Sequence, residues 1–309
     1  MGNRFIDLAA IKDEMSKAEY AISVRKYPLA LEILHRALET HPGNSVALQA
    51  IGRVYLIQNN VPAAREATLA ALAQDPEFPG AHDCYGMICQ YQKDYDQAEQ
   101  AFRRAIELKP EYSNAHYNYS DFLLLIRKDT VKAKEHCLKA IEIEPTAPRF
   151  YKVLARIYIA ENNLQQAEDA YLQGLSLDPE SVSLHTSYGA FLLNNKHDPK
   201  AAFEHFRIAL MRNPADAVTR NNFFKALKAK NRFYWLFWQY ASLRRKLGAG
   251  VSLIFIASIV ARVAWNATID NPTLHPIVFV VVFLYLLFFL YVLTVNPIFN
   301  FLIKRGMIK

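Results

Sequence analysis

The chain has 309 residues, 52% of them hydrophobic, and a formal net charge of +7, enough for one large domain or two ordinary ones. The charge is uneven: through Asp216 there are 24 basic against 28 acidic residues, and from Ala217 onward 12 basic residues against one acid, Asp270. A mildly acidic body with a basic, apolar tail excludes nucleic acid as the main partner, which would need a basic stripe on the folded domain, and points to a membrane surface.

Three cysteines, Cys84, Cys89 and Cys137, are too few and oddly numbered for a disulfide framework, so a reducing compartment is expected. The opening MGNRFIDLAAIKDEM has no apolar core and no small-residue cleavage site, so no secretory signal is expected. Ile6 breaks the myristoylation pattern that Gly2 would begin.

Short amphipathic helices in pairs fill the chain as far as Pro214. Residues 45–78 show the unit: two helices joined by the polar turn Asn59-Asn60 and stopped by Pro76. A pair this short cannot bury its apolar stripe alone and must stack on copies of itself. The copies are visible. The proline after the second helix returns as Pro42, Pro76, Pro110, Pro145, Pro179 and Pro214, at gaps of 34, 34, 35, 34 and 35 residues. Small residues stand at one place in the first helix, Ala18, Gly52, Gly86, Ser120, Ala155 and Gly189. They also stand at two places in the second: Ala30, Ala64, Ala98, Ala133, Ala167 and Ala202, then Ala37, Ala71, Ala105, Ala140, Gly174 and Ala209.

This pattern resembles the tetratricopeptide repeat (TPR) family over residues 11–216. The resemblance implies an all-α fold: a right-handed superhelical solenoid of about six antiparallel helix pairs with a concave inner groove. The extra residue of the 35-residue repeats is expected in the helix turns, at Arg127 to Thr130 and Lys196 to Pro199. Glu14 and Lys17 weaken the first repeat, as a polar terminal cap would, and Phe5, Ile6 and Leu8 extend it. The lone helix 217–230 reads as the closing cap.

Residues 231–248 form an aromatic and basic segment, with Trp235 and Trp238 before Arg244, Arg245 and Lys246. An interfacial entry helix accounts for it, as does packing of its rings on the last repeat. Residues 249–309 read as a two-helix transmembrane hairpin with a short basic tail. Ile277 to Val295 is 19 residues without a charge, close to the length that spans a ~30 Å hydrocarbon core. The first span, Ala249 to Trp265, contains Arg262 near one end, where its stem can snorkel. Trp238 and Trp265 bracket it at bilayer spacing. Basic residues flank the hairpin on both outer sides and are absent from the loop Asn266 to His275. An integral two-pass membrane protein with both termini and the repeats cytoplasmic is therefore expected.

No catalytic constellation is present: no phosphate-cradling glycine loop, no HExxH, no nucleophile elbow. His82 beside Cys84, and His136 beside Cys137, point to different helix faces, so no metal or cofactor site is expected. The chain reads as no enzyme. In the frame the resemblance supplies, the groove is lined by Gln49, Arg53 and Leu56, then Asp83, Met87 and Tyr91, then Tyr117, Asn118 and Asp121, then Arg149, Lys152 and Arg156. The last three share one helix face and could hold carboxylates of a partner peptide; a solvated face explains them equally. The carboxylate-gripping Lys/Asn set of some family members is missing, with Gln49 and Arg53 at two of its places.

The function expected is a membrane-anchored scaffold that binds a protein through the groove and recruits it to, or helps assemble, a membrane complex. An alternative is a structural subunit held mainly through the hairpin, where Ala257 and Ala261 permit close helix contact and make an oligomer compatible with the sequence. An enzyme or transporter would rest on Arg262 alone.

Overall fold

The computed structural model describes residues 2–231, 262–266 and 274–304. The chain divides into two compact units, Met1–Pro179 and Glu180–Lys309. The first holds five helix pairs: α1 (Gly2–Ser23) with α2 (Tyr27–Thr40), α3 (Ser45–Ile57) with α4 (Val61–Gln74), α5 (Pro79–Tyr91) with α6 (Tyr95–Leu108), α7 (Ser113–Phe122) with α8 (Thr130–Ile143), and α9 (Pro148–Ala160) with α10 (Leu164–Leu177). The second holds the sixth pair, α11 (Val182–Asn194) with α12 (Pro199–Arg212), then α13 (Ala217–Lys230) and α14 (His275–Lys304).

Each pair is made by the same local chemistry. The first helix closes on a left-handed residue: Arg25, Asn59, Lys93, Lys128, Asn162 and His197, one per repeat and none of them glycine. The next residue but one begins the second helix, capped in five repeats by the side chain of Asn60, Asp94, Asp129, Asn163 or Asp198 on a backbone N–H of the first turn. Repeat one has Lys26 there and no such bond.

The small positions are where the two helices touch. Ala18, Ala30, Ala37, Ala64, Ala71, Ala98, Ala105, Ala133, Ala140, Ala155, Ala167 and Ala202 are all fully buried. A Cβ added to Gly86 would lie 2.7 Å from Cδ1 of Phe102, and one added to Gly189 2.9 Å from Cε1 of Phe206. At Gly52 it would strike Thr68. Ser120 has room for a hydroxyl because it donates to the Ala133 carbonyl at 2.6 Å.

The extra residue of repeat four is taken up differently from the expectation. It does not lengthen the turn 127–130; it widens the end of α7 into a π-helical turn, Leu123–Arg127. The closing bond then runs from Asp129 N–H back six residues to Leu123, where repeats two, three and five close over five, as from Asn60 to Tyr55. Repeat six closes over six as well, from Asp198 to Leu192, but without a π turn.

Within the first unit the first helices also touch one another in series, α3 with α5, α5 with α7 and α7 with α9. They form one continuous face. In the second unit α13 packs on α12 and α11, burying Thr219, Ala226, Leu227 and Ala229 while Val218 stays exposed. α1 is 22 residues long against 13 for α3, α5, α9 and α11, so its N-terminal turns run past the repeat.

Of the expected hairpin, the first span and the segment 232–248 lie outside the described residues, apart from a helical stretch at 262–266. Among the described residues no helix is long and apolar enough to cross a membrane. Several side chains of α14, including those at 285, 289, 292 and 293, lie outside that set, and the uncharged run Ile277–Val295 is nevertheless continuous helix.

Overfilling the tight helix contact at Gly86 should cost more than filling the space at the loop residue Gly43. Gly86→Val is expected to lower stability by about 1–3 kcal/mol in urea denaturation followed by far-UV circular dichroism. Gly43→Ala, which meets only the flexible end of Gln74, should stay within about 0.5 kcal/mol of the parent.

Candidate functional site: the face of the first helices

Along the first helices α1, α3, α5, α7 and α9, equivalent residues one repeat apart come within bonding reach. Four polar pairs result, that of Arg149 with Asn114 among them. The Arg53 guanidinium meets Glu19, 34 residues earlier. The Asn118 amide donates to both oxygens of Asp83, at 3.0 and 2.9 Å. Arg156 donates to Asp121 at 2.5 Å. Glu19, Arg53, Met87, Asp121 and Arg156 occupy one register position in five successive repeats, so the ladder alternates in sign and is broken only by Met87.

These contacts redefine the basic triad. Arg156 is paired with Asp121. Arg149 donates to Asn114 at 2.9 Å and to Glu144 at 3.3 Å, and its guanidinium lies 4.6 Å from the ring centre of Phe150. Lys152 is largely covered, and burial lowers its pKa. The triad is therefore part of the packing between repeats, and it does not stand as a bare cationic patch. Tyr117 stacks obliquely on Phe150 at 5.3 Å, and burial pushes its hydroxyl up to about 12.

Other expected groove residues turn inward. Gln49, Leu56 and Asp83 are buried, and Met87 packs against the cluster of Leu56, Ala64, Cys84 and Ile88. Burial is the largest influence on Asp83: it raises the carboxyl to about 7, against the opposing pull of the Asn118 amide and the Arg53 charge. Arg53 Nε is buried beside it with no hydrogen-bond partner among the described residues.

The open surface lies further along the same helices. Tyr91 is 59% exposed, and Ile57 and Leu125, at the same register of the neighbouring repeats, are 50% and 37% exposed. Val46 is exposed as well. Ile57, Leu125 and Val46 were not singled out from the sequence, although the repeat frame that selected Tyr91 also marks them.

Segments 21–84 and 124–187 match one tetratricopeptide repeat family model, and 86–112 matches another. The chain carries tetratricopeptide repeats. Similar solved structures include a thermophilic TPR protein of Thermus thermophilus, 22% identical, covering 59% of this chain and 99% of that one, with a TM-score of 0.53. PilW, a widely conserved type IV pilus biogenesis factor, is 17% identical over 69% of this chain and 97% of its own, with a TM-score of 0.52. The Cut9-Hcn1 hetero-tetramer of the APC/C is 17% identical over 70% of this chain and 43% of that one, with a TM-score of 0.59. At these identities the likeness fixes the fold alone. No curated protein matches the chain.

The three TPR cysteines are buried and free, as a packing role predicts. Burial pushes the Cys84 and Cys137 thiols up to about 12, so neither is a nucleophile at neutral pH. No group of three metal-binding side chains occurs among the described residues. Trp235, Trp238, Arg244, Arg245 and Lys246 lie outside the described residues, whereas Trp265 is helical, with its ring 5.9 Å from that of Phe279.

Asp83 gives a pH signature. Its folded pKa lies above the unfolded value, so its favourable contribution is complete below pH ~4 and is lost as pH rises through about 7. Asp83→Asn keeps the Asn118 contact without the titration. The variant is expected to gain on the parent between pH 4 and 7, by up to about 4 kcal/mol, in denaturant titrations at each pH.

Proposed function

We propose that the protein is a membrane-anchored scaffold whose tetratricopeptide array captures a protein partner. One observation carries the reading: the polar groups of the first-helix face are spent on each other, while an apolar row, Ile57, Tyr91 and Leu125, stands open at one register of three successive repeats. A repeated, rigidly spaced row of this kind suits an extended or helical partner segment that presents apolar side chains. An acidic tail suits it less, because Arg149 and Arg156 already have acidic or amide partners.

Anchoring rests on α14. Ile277, Phe279, Val281, Phe283, Leu286 and Leu290 are each about half exposed or more and lie on more than one side of the helix. A helix apolar around most of its circumference is stable in lipid or inside a protein core, not in water. The Trp265–Phe279 ring contact supports a hairpin, since it joins the end of one proposed span to the start of the next. The flanking basic residues support an orientation with the repeats on the cytoplasmic side, and recruitment to or assembly of a membrane complex is the role this reading assigns.

Two experiments test this. Tyr91→Ser with Ile57→Ser should leave the melting temperature within a degree or two and reduce partner recovery from solubilised membranes about tenfold, as loss of an aromatic anchor does. Undiminished recovery would remove the groove from the account. Deleting 277–295 should move the protein from the carbonate-resistant membrane pellet to the supernatant, and retention in the pellet would remove the anchor.

A further inference from the structure

Repeats four and six carry a feature that repeats two, three and five lack. In repeat four His116, on α7, faces His136, on α8, with Nδ1 to Nδ1 at 2.9 Å. In repeat six His185, on α11, faces His205, on α12, in the same way at 2.8 Å. Each pair is covered by a tyrosine of the first helix: Tyr119 lies 4.7 Å from His136, and Tyr188 lies 4.6 Å from His205. The position of His136 and His205 is held by Ala67, Ala101 and Ala170 in the other three repeats. The position of His116 is held by His82 in repeat three and by Tyr151 in repeat five. Both bond the carbonyl of the preceding phase proline at 2.9 Å, as His116 does through Nε2.

That anchor sets the protons of the pair. His116 donates its Nε2–H to the Pro110 carbonyl, so its Nδ1 carries a lone pair and accepts from the Nδ1–H of His136. A first added proton goes to Nε2 of His136 and leaves the bond between the rings intact. A second must go to Nδ1 of His116, where it would meet the Nδ1–H of His136 head-on at 2.9 Å. The closed helix pair therefore accommodates one extra proton and rejects the second. Two separated imidazoles in the open state take both.

The surroundings do little to rescue the doubly charged pair. Glu111, before α7, and Glu135, on α8, favour the charge, whereas Lys139 and Lys132 on α8 and Arg103 on α6 oppose it. Burial is the largest influence on both His116 and His136, and it lowers both. Burial and the neighbouring His185 bring His205 down to about 4, with Glu204 pulling the other way. Protons can reach the first pair, because His116 and His136 line a surface depression together with Glu135, Lys139 and Glu142.

We propose that the His116–His136 and His185–His205 pairs are acid-sensitive latches that let α8 and α12 come away from their first helices, while the pairs α5–α6 and α9–α10 stay closed. Loosening α7 in this way also releases Tyr117, Asn118 and Asp121, so the scaffold would respond to acid at one repeat of its inner face without unfolding as a whole. Each histidine that the closed state keeps neutral shifts the closing equilibrium tenfold per pH unit below about 6.5, or roughly thirtyfold at pH 5.

Hydrogen exchange of the full chain in neutral detergent micelles, at pH 7.5 and pH 5 with intrinsic rates corrected, tests this. Protection in α8 and α12 should fall at least tenfold more than in α6 and α10. Equal loss in all four helices, or none, overturns the proposal. The double change His116→Tyr with His136→Ala copies the Tyr151 and Ala170 arrangement of repeat five and should abolish the acid response of α8 while leaving that of α12. An α8 response that persists in this variant also overturns it. If the variant does not fold, the comparison of α8 and α12 with α6 and α10 in the parent chain decides.

Discussion

Everything in this protein depends on how closely the two helices of a repeat can approach. Where Gly86 and Gly189 lack a Cβ, Phe102 and Phe206 move into the space and are fully buried. Thr68, Phe102, Cys137, Tyr171 and Phe206 share one register, and all are buried to within a few per cent. Their sizes differ widely, so each repeat solves the same volume problem separately: phenylalanine against Gly86 and Gly189, Thr68 against Gly52, Cys137 in the repeat with Ser120, and Tyr171 in the repeat with Ala155. The smaller members bring a polar atom that is then satisfied, as Thr68 is by Cys84 at 3.3 Å and Cys137 by the Phe150 carbonyl at 3.5 Å. Because interiors are packed to crystal-like density, a mismatch in any one repeat cannot be shared with its neighbours.

Close approach within a repeat forces the first helices into line, and the alignment decides what their polar residues can do. Side chains one repeat apart face each other, so charges of opposite sign become register pins. Glu19–Arg53 and Asp121–Arg156 are partly exposed, and pairs of that kind contribute about 0.2–1 kcal/mol each. Their value lies in specificity: a slipped stack would set like charges together or leave Asp83 buried without the Asn118 amide. An inner surface that spends its charges on register has only its unpaired apolar positions left for recognition.

The repeat phase, the small positions and the close-packed alanines could be read from the sequence because each is a local size requirement that recurs every 34 or 35 residues. The groove was harder to read. A repeat frame says which face a residue is expected to occupy, as it does for Arg53, Asn118 and Arg156. It does not say whether a neighbour one repeat away has already taken the side chain. Among the groove residues the aromatic Tyr91 stood out by type, while Ile57 and Leu125, at the same register, did not. The π turn was not legible for a related reason. A single extra residue can be absorbed in the turn or in the helix before it, and only the packing of Leu123 and Leu124, both buried, selects the second.

The ladder and the histidine pairs use one geometry for opposite ends. Both set two polar side chains within 3 Å across a helix contact, and in both the spacing is fixed by the small residues beside them. Unlike charges at that spacing attract each other, so the Asp121–Arg156 rung holds its contact. Two imidazoles at the same spacing hold only while they share protons, and their limit falls within the range that cells can reach. Repeat three, which already has His82, needs a change at only one register, Ala101, to gain such a pair, whereas repeat five needs two, at Tyr151 and Ala170. The array thus keeps its rigid spacing in the repeats that lack the pair and concentrates its sensitivity in the repeats that have it.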